Sequence, residues 1–211
     1  MTRNNPRMSV TKLGEYLTTP SATRRRKILS DQKHPAEFVT TLYNDCFDPM
    51  VAFFVDPGHD PAPIQAAIQA IRAQHPVSDY EVMKQGVTTE ALRHLLRAGP
   101  QLPIQTLAFR RNPQQAPRLH IAGVDVSIRQ ELEIVVAGGG NAVRYGSLKL
   151  YLGKTHPLTP EAARYVTSLV YQHAVHKYHG AANVDMRRCY VFDVFNEELH
   201  VAHGGQVRVH L

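Results

Sequence analysis

The sequence predicts an α+β protein: a helical N-terminal half followed by a mixed β-sheet core of β-β-β-α-β order. Three observations carry that expectation. Apolar residues recur every three or four positions up to about residue 98, the helical period. Over 99–117 the composition shifts to Pro, Gln and Arg, which marks a boundary. Beyond it the pattern turns to alternation and β-branched runs, interrupted by one well-capped helix. The chain thus divides into a basic arm over 1–35, a helical region over 36–112 and an α/β core over 113–211.

Each element has a local cause. Ser9 or Thr11 can cap a short helix whose apolar residues Val10, Leu13 and Leu17 fall at helical spacing and which ends at Pro20. A second short helix holds the run Arg24-Arg25-Arg26-Lys27, with Ile28 and Leu29 as anchors. Phe38, Leu42, Cys46, Met50 and Phe53 then describe an amphipathic helix of about five turns, which Pro49 should kink or split. Ile64, Ile68 and Ile71 share the face of another helix, closed by His75-Pro76. Over 78–98 the spacing resembles a helix-turn-helix. Gly86 would sit at the turn, Thr88 would cap the second helix, Leu92 and Leu95 would face inward, and Arg93, His94 and Arg97 outward. Glu81 and Glu90 on the same unit suit a phosphate-facing surface less well.

In the back half, strands are expected over 119–128, 132–136 and 145–152, with the glycine cluster at 138–141 as a turn. Leu148, Leu150 and Leu152 share one face of the third strand, leaving Ser147, Lys149 and Tyr151 on the other. Thr159-Pro160-Glu161 opens a helix with a cap, a first-turn proline and an acid at the positive end of the dipole. It ends at Gly180. A strand or hairpin over 189–202, bent at Asn196-Glu197-Glu198, and a terminal strand over 206–211 complete the reading. On alternation Asp193 faces solvent.

With 211 residues, of which 43% are apolar and 20% charged, the chain can bury a real core. Two distant cysteines, Cys46 and Cys189, exclude a disulfide framework and a four-cysteine zinc site, which suits a reducing, cytoplasmic setting. No apolar run reaches the length of a signal peptide or a membrane span, so no membrane partner is expected. The formal net charge is +6, which favours polyanionic partners. That excess is local. Residues 1–35 hold eight Lys and Arg against two acids, and the other 176 residues balance at 16 and 16. Arg24, Arg25, Arg26, Lys27 and Lys33, with Arg93 and Arg97, are therefore the expected nucleic-acid contacts.

Helices followed by three strands, a helix and a strand, with Asp125 in Gly123-Val124-Asp125-Val126 and Lys149 in Ser147-Leu148-Lys149, form an order that resembles the PD-(D/E)xK nuclease-like fold over about 115–205. The resemblance implies an Asp on the second strand and an acid-x-Lys on the third, which hold Mg²⁺ and orient water on a phosphodiester. Ser147 stands where the second acid belongs, so Glu131, Glu133 or Glu37 would have to substitute. The expected catalytic set is Asp125, Lys149 and Glu133, with Asp125 and Glu133 as metal ligands. Read from the residues alone, Asp125 needs only a cross-strand partner such as Lys149 or Arg129. His173 and His176, or His200 and His203, allow a zinc site, without any Cys or HExxH pattern beside them.

These readings converge on a nucleic-acid-binding protein with a nuclease-like core, DNA favoured over RNA, in a DNA-processing or defence/mobile-element system. Two alternatives accompany it: an active Mg²⁺-dependent endonuclease, and a non-catalytic interaction or assembly subunit with protein partners or a second copy of itself.

Overall fold

The computed structural model describes residues 7–34, 42–112, 118–137 and 143–204. Glu37, the glycine cluster at 138–141, the strand expected over 206–211 and the first residues of the helix expected from Phe38 lie outside them. The class is α+β. Strand β1 (Arg7–Ser9) leads into α1 (Val10–Thr18), α2 (Ala22–Lys33), α3 (Asn44–Val55), α4 (Ala62–Arg72) and α5 (Asp79–Ala98). Then come β2 (Ala108–Arg111), β3 (Leu119–Ile121), β4 (Val124–Ser127), β5 (Leu132–Ala137) and β6 (Val143–Tyr151). Helix α6 (Pro160–Lys177) and strands β7 (Val184–Asp193) and β8 (Glu198–Val201) finish the fold.

A five-stranded sheet of order β2-β5-β6-β7-β8 organises the molecule. Its pairs are antiparallel except β6 and β7, which run parallel because α6 crosses between them. Strict alternation then sorts the side chains by face. Leu132, Ile134, Leu148, Leu150, Tyr190 and Phe192 meet α3, α4 and α5 through Phe53, Phe54, Ile64, Leu92 and Leu95, so the helical front half and the sheet share one core. Each fully buried side chain of this size contributes about 1.5–3 kcal/mol. On the opposite face Cys189 and Val191 pack with Val166, Val170 and Ala174 of α6 and Val10 of α1. Gly146 is obligatory in β6: a Cβ there would fall 2.3 Å from the Arg188 carbonyl oxygen, where the β6–β7 register shifts.

Several expectations change. The strand expected over 119–128 is a hairpin, β3 and β4, because Ala122 and Gly123 turn at φ of +48° and +79°. Its strands leave the main sheet and join β1 in a three-stranded sheet of order β1-β4-β3, with β1 parallel to β4. The 99–117 boundary contains β2, an edge strand of the main sheet. Pro49 lies inside an unbroken α3. Leu29 is 45% exposed, so Ile28 alone anchors α2. Asp193 is wholly buried and accepts from the Leu158 and Asn196 amides.

The helix-turn-helix expected over 78–98 is one helix of 20 residues. Ser78 caps it, and Glu81 reaches back to the Val77 amide. The segment that should have turned is pinned straight. Gln85 donates to the Ile71 and Gln74 carbonyls at the end of α4, and Lys84 pairs with Asp45 at 2.8 Å. Thr88, inside the helix, donates its hydroxyl to the Leu42 carbonyl.

Candidate functional site

Alternation places Ser147 and Lys149 of β6 on the α6 side of the sheet, as the sequence indicated. Pairing of Leu132 with Leu148 brings Glu131, one residue earlier, abreast of Lys149. The Glu131 carboxylate accepts the Leu150 amide at 2.8 Å, and Lys149 Nζ donates to the Arg129 carbonyl at 3.0 Å. Two further bonds fix the strand entry: the Gln130 side chain donates to the Val170 carbonyl of α6, and the Asn112 side chain to the Gln130 carbonyl. Glu131 and Lys149 thus form the floor of a cleft of about 540 Å³, with buried His173 beside them.

The walls come from distant parts of the chain: Arg7 of β1, Phe47 and Asp48 of α3, Arg111 of β2, and Arg118 and Arg129 on the approaches to β3 and β5. Five cationic side chains (Arg7, Arg111, Arg118, Arg129 and Lys149) therefore face two carboxylates, Asp48 and Glu131. Arg111 pairs with Asp48 at 2.7 Å, both exposed. The Arg129 guanidinium lies 4.6 Å from the centroid of the Phe47 ring, a cation–π contact. Its Nε is 3.7 Å from Glu131 Oε1, an oxygen that accepts no hydrogen bond. Burial pushes the Glu131 carboxyl above its ordinary range, against the pull of Lys149, the Leu150 amide and Arg129.

The expected catalytic set does not assemble. Asp125 belongs to the small sheet, where its carboxylate meets His120 at 3.0 Å and Arg118 at 3.6 Å, not Lys149 or Arg129. The His120 hydrogen bond holds that carboxyl below the usual range, and Arg118 adds to the effect. Glu133 faces the far end of α6, paired with Lys177 at 3.0 Å and accepting the Tyr178 hydroxyl. Only Lys149 of the three lines the cleft. Among the described residues no three His, Cys, Asp or Glu side chains gather to hold a metal, zinc included. The donor set does not fit Mg²⁺ either: Ser147 offers a buried hydroxyl, and Glu131 is one carboxylate among guanidinium and ammonium groups that would repel a dication. Neither cysteine is a nucleophile, since burial pushes both thiols up to about 12.

The expected nucleic-acid contacts divide. Arg25, Arg26 and Lys33 are exposed on α2, and Lys27 pairs loosely with Asp31 at 3.3 Å. Arg24 is committed to Glu15, at 2.9 Å through Nε, and also touches His156. On α5, Arg93 is exposed, whereas Arg97 is bound to Glu197, which His94 also contacts. Sequence reasoning missed Arg7, Arg111, Arg118 and Phe47 as a group. In the sequence Arg7 counts only towards the basic 1–35 segment and Arg111 only towards the composition shift over 99–117, and nothing joins them, because separate segments bring these residues together. No family model, curated protein or solved structure matches this chain.

Proposed function

We propose that this protein binds the backbone of a nucleic acid in the cleft floored by Lys149 and walled by Arg7, Arg111, Arg118 and Arg129. The observation that carries this reading is the convergence of five cations against two carboxylates, four of the cations coming from the 176 residues whose charges balance overall. The net charge of +6 resides in residues 1–35, so the rest of the chain gains nothing general from net charge. Local concentration of guanidinium groups in a concave wall is what focuses field onto a phosphate. Arginine suits the task, since its planar fork donates to two phosphate oxygens together. The exposed cations of α2, which packs beside β1 and hence beside Arg7, extend the same surface outwards. DNA is the favoured polymer, and the reading is one of binding: hydrolysis would need metal ligands that Asp125, Glu133 and Ser147 do not supply at Lys149.

The test is affinity against salt. Each phosphate contact contributes about −0.9 for duplex or about −0.7 for single strands to the slope of log K on log salt. Replacing Arg7, Arg111 and Arg129 by alanine should flatten that slope by about 2. Replacing Arg24, Arg25, Arg26 and Lys27 should flatten it less, because Arg24 is paired with Glu15 and Lys27 with Asp31, which leaves two exposed charges, Arg25 and Arg26, to remove. No mobility shift of wild-type protein at low salt would dispose of the reading and leave the interaction subunit in its place.

A further inference from the structure

The walls of the cleft are charged, but one of them is also aromatic, and that combination selects among nucleic acids. Phe47 is half-buried at the rim of α3, its inner edge packed on the core. Over its ring lies the Arg129 guanidinium, whose own side chain is 68% exposed. A guanidinium 4.6 Å from the ring centroid on a side chain that exposed can meet phenyl and solvent at once, and Lys149 and Arg111 line the same cleft. Bases stack on aromatic rings and on arginine planes alike. A cleft of about 540 Å³ lies in the range of about 300–1,000 Å³ that encloses one small-molecule-sized group. A duplex can offer such a cleft only its backbone, because its bases stay stacked inward where Phe47 and Arg129 do not reach them.

We propose that the cleft takes one unpaired nucleotide of a single strand, its base stacked on the Arg129–Phe47 pair and its phosphates held by Arg111, Lys149 and Arg7. This rests on the cleft being the anion site. It adds that the ligand must present a free base face, which single-stranded DNA and RNA, or the unpaired part of a junction, all offer. Arg111 would exchange its exposed partner Asp48 for a phosphate, an exchange open to it because both groups lie in solvent. Arg129 would keep its place over Phe47 and gain a second stacked neighbour.

The chain contains no tryptophan, so Phe47→Trp installs a single fluorescent reporter in the stack. The experiment titrates this variant and the wild type with a short single strand, its duplex, and an abasic strand of the same length and charge, in deoxyribose and ribose forms. The base-bearing single strand should bind about tenfold more tightly than the other two and alone should quench the tryptophan. Arg129→Lys, a change at an exposed side chain that keeps the charge but removes the plane, should erase that preference. Equal binding of all three strands, with no base-dependent quench, would overturn the inference and leave backbone binding standing. Failure of all three to bind at low salt would remove both.

Discussion

The two faces of the central sheet are built to different rules. The face under α3, α4 and α5 is built from large apolar side chains: Leu132, Ile134, Leu148, Leu150 and Phe192 are each at most 2% exposed. The face under α6 mixes valines and alanines with buried Ser147, Lys149, Thr167, Ser168, His173 and Asp193, and with Glu131 at the strand entry. Polar groups in such places destabilise unless they are paired, by about 1–3 kcal/mol each. A protein that needed only stability would have repeated the first face twice. On the second face Glu131, Lys149, Thr167 and Asp193 meet the pairing requirement with hydrogen bonds, so polar pairing as well as apolar contact holds this side together, and it is the side on which the cleft opens.

The largest effect should come from the apolar face. Phe192→Ala removes a wholly buried ring from the middle of the core and should destabilise by about 3–5 kcal/mol in urea unfolding. The remaining folded protein should bind nucleic acid with an unchanged salt slope. A changed slope would mean that the two faces are not separable.

Asp193→Ala, on the other face, should destabilise by about 1–3 kcal/mol, because the buried Leu158 amide loses its acceptor and a second bond, from the Asn196 amide, is lost with it. The same face should also respond to pH. Burial raises both Glu131 and Asp193 above the ordinary carboxylate range. A carboxyl raised in the folded state adds stability while it is protonated, below its unfolded pKa, and that contribution disappears as pH rises through the folded value. Glu15, Asp125 and Glu197 act with the opposite sign. Burial opposes the Lys12 and Arg24 hydrogen bonds on Glu15, but the net shift there is downward, and His120 and Arg97 lower the other two. Their contribution is present above the unfolded carboxylate pKa and is lost as pH falls through the lowered folded values. Glu131→Gln keeps an acceptor for the Leu150 amide and removes the charge. Its urea midpoint should therefore fall less than that of wild type as pH rises above the ordinary carboxylate range. Parallel curves would show that Lys149 and Arg129 fully compensate the carboxylate.

What the sequence made legible was what neighbouring residues decide. Thr159-Pro160-Glu161 announced α6 because cap, proline and acid act within one turn. Alternation through Leu148, Lys149 and Leu150 gave the two faces of β6 before its partners were known. The site was less legible, because it depends on pairings between distant segments. Asp125 looked like a core-strand acid until β1, more than a hundred residues earlier, captured β4 into a second sheet. Asp193 looked exposed by alternation alone, which carries no knowledge that α6 and the 153–159 loop cover that face. Arg7, Arg111, Arg118 and Arg129 carry no mutual signature at all. Each is an ordinary surface arginine until the two sheets place them around one opening.

The smallest expected effect tests the most local of these misreadings. Gly86 suggested a turn because glycine accepts left-handed backbone and would mark the joint of a helix-turn-helix. In α5 it has ordinary helical backbone, lies exposed, and a Cβ would meet nothing within 4 Å. Its neighbours, not its own preference, hold the helix: Gln85 is tied to α4, Lys84 to α3, and Thr88 to the Leu42 carbonyl. Glycine inside a helix is less favourable than alanine by about 0.5–1 kcal/mol, since it has more conformational freedom to lose. Gly86→Ala should therefore stabilise the protein by about that amount in urea, with no change in nucleic-acid affinity. At a left-handed turn the same methyl would destabilise by about 1–2 kcal/mol. The sign of the change in unfolding midpoint thus separates one continuous helix from two, and with it an α5 that buttresses the apolar face from one that reads DNA.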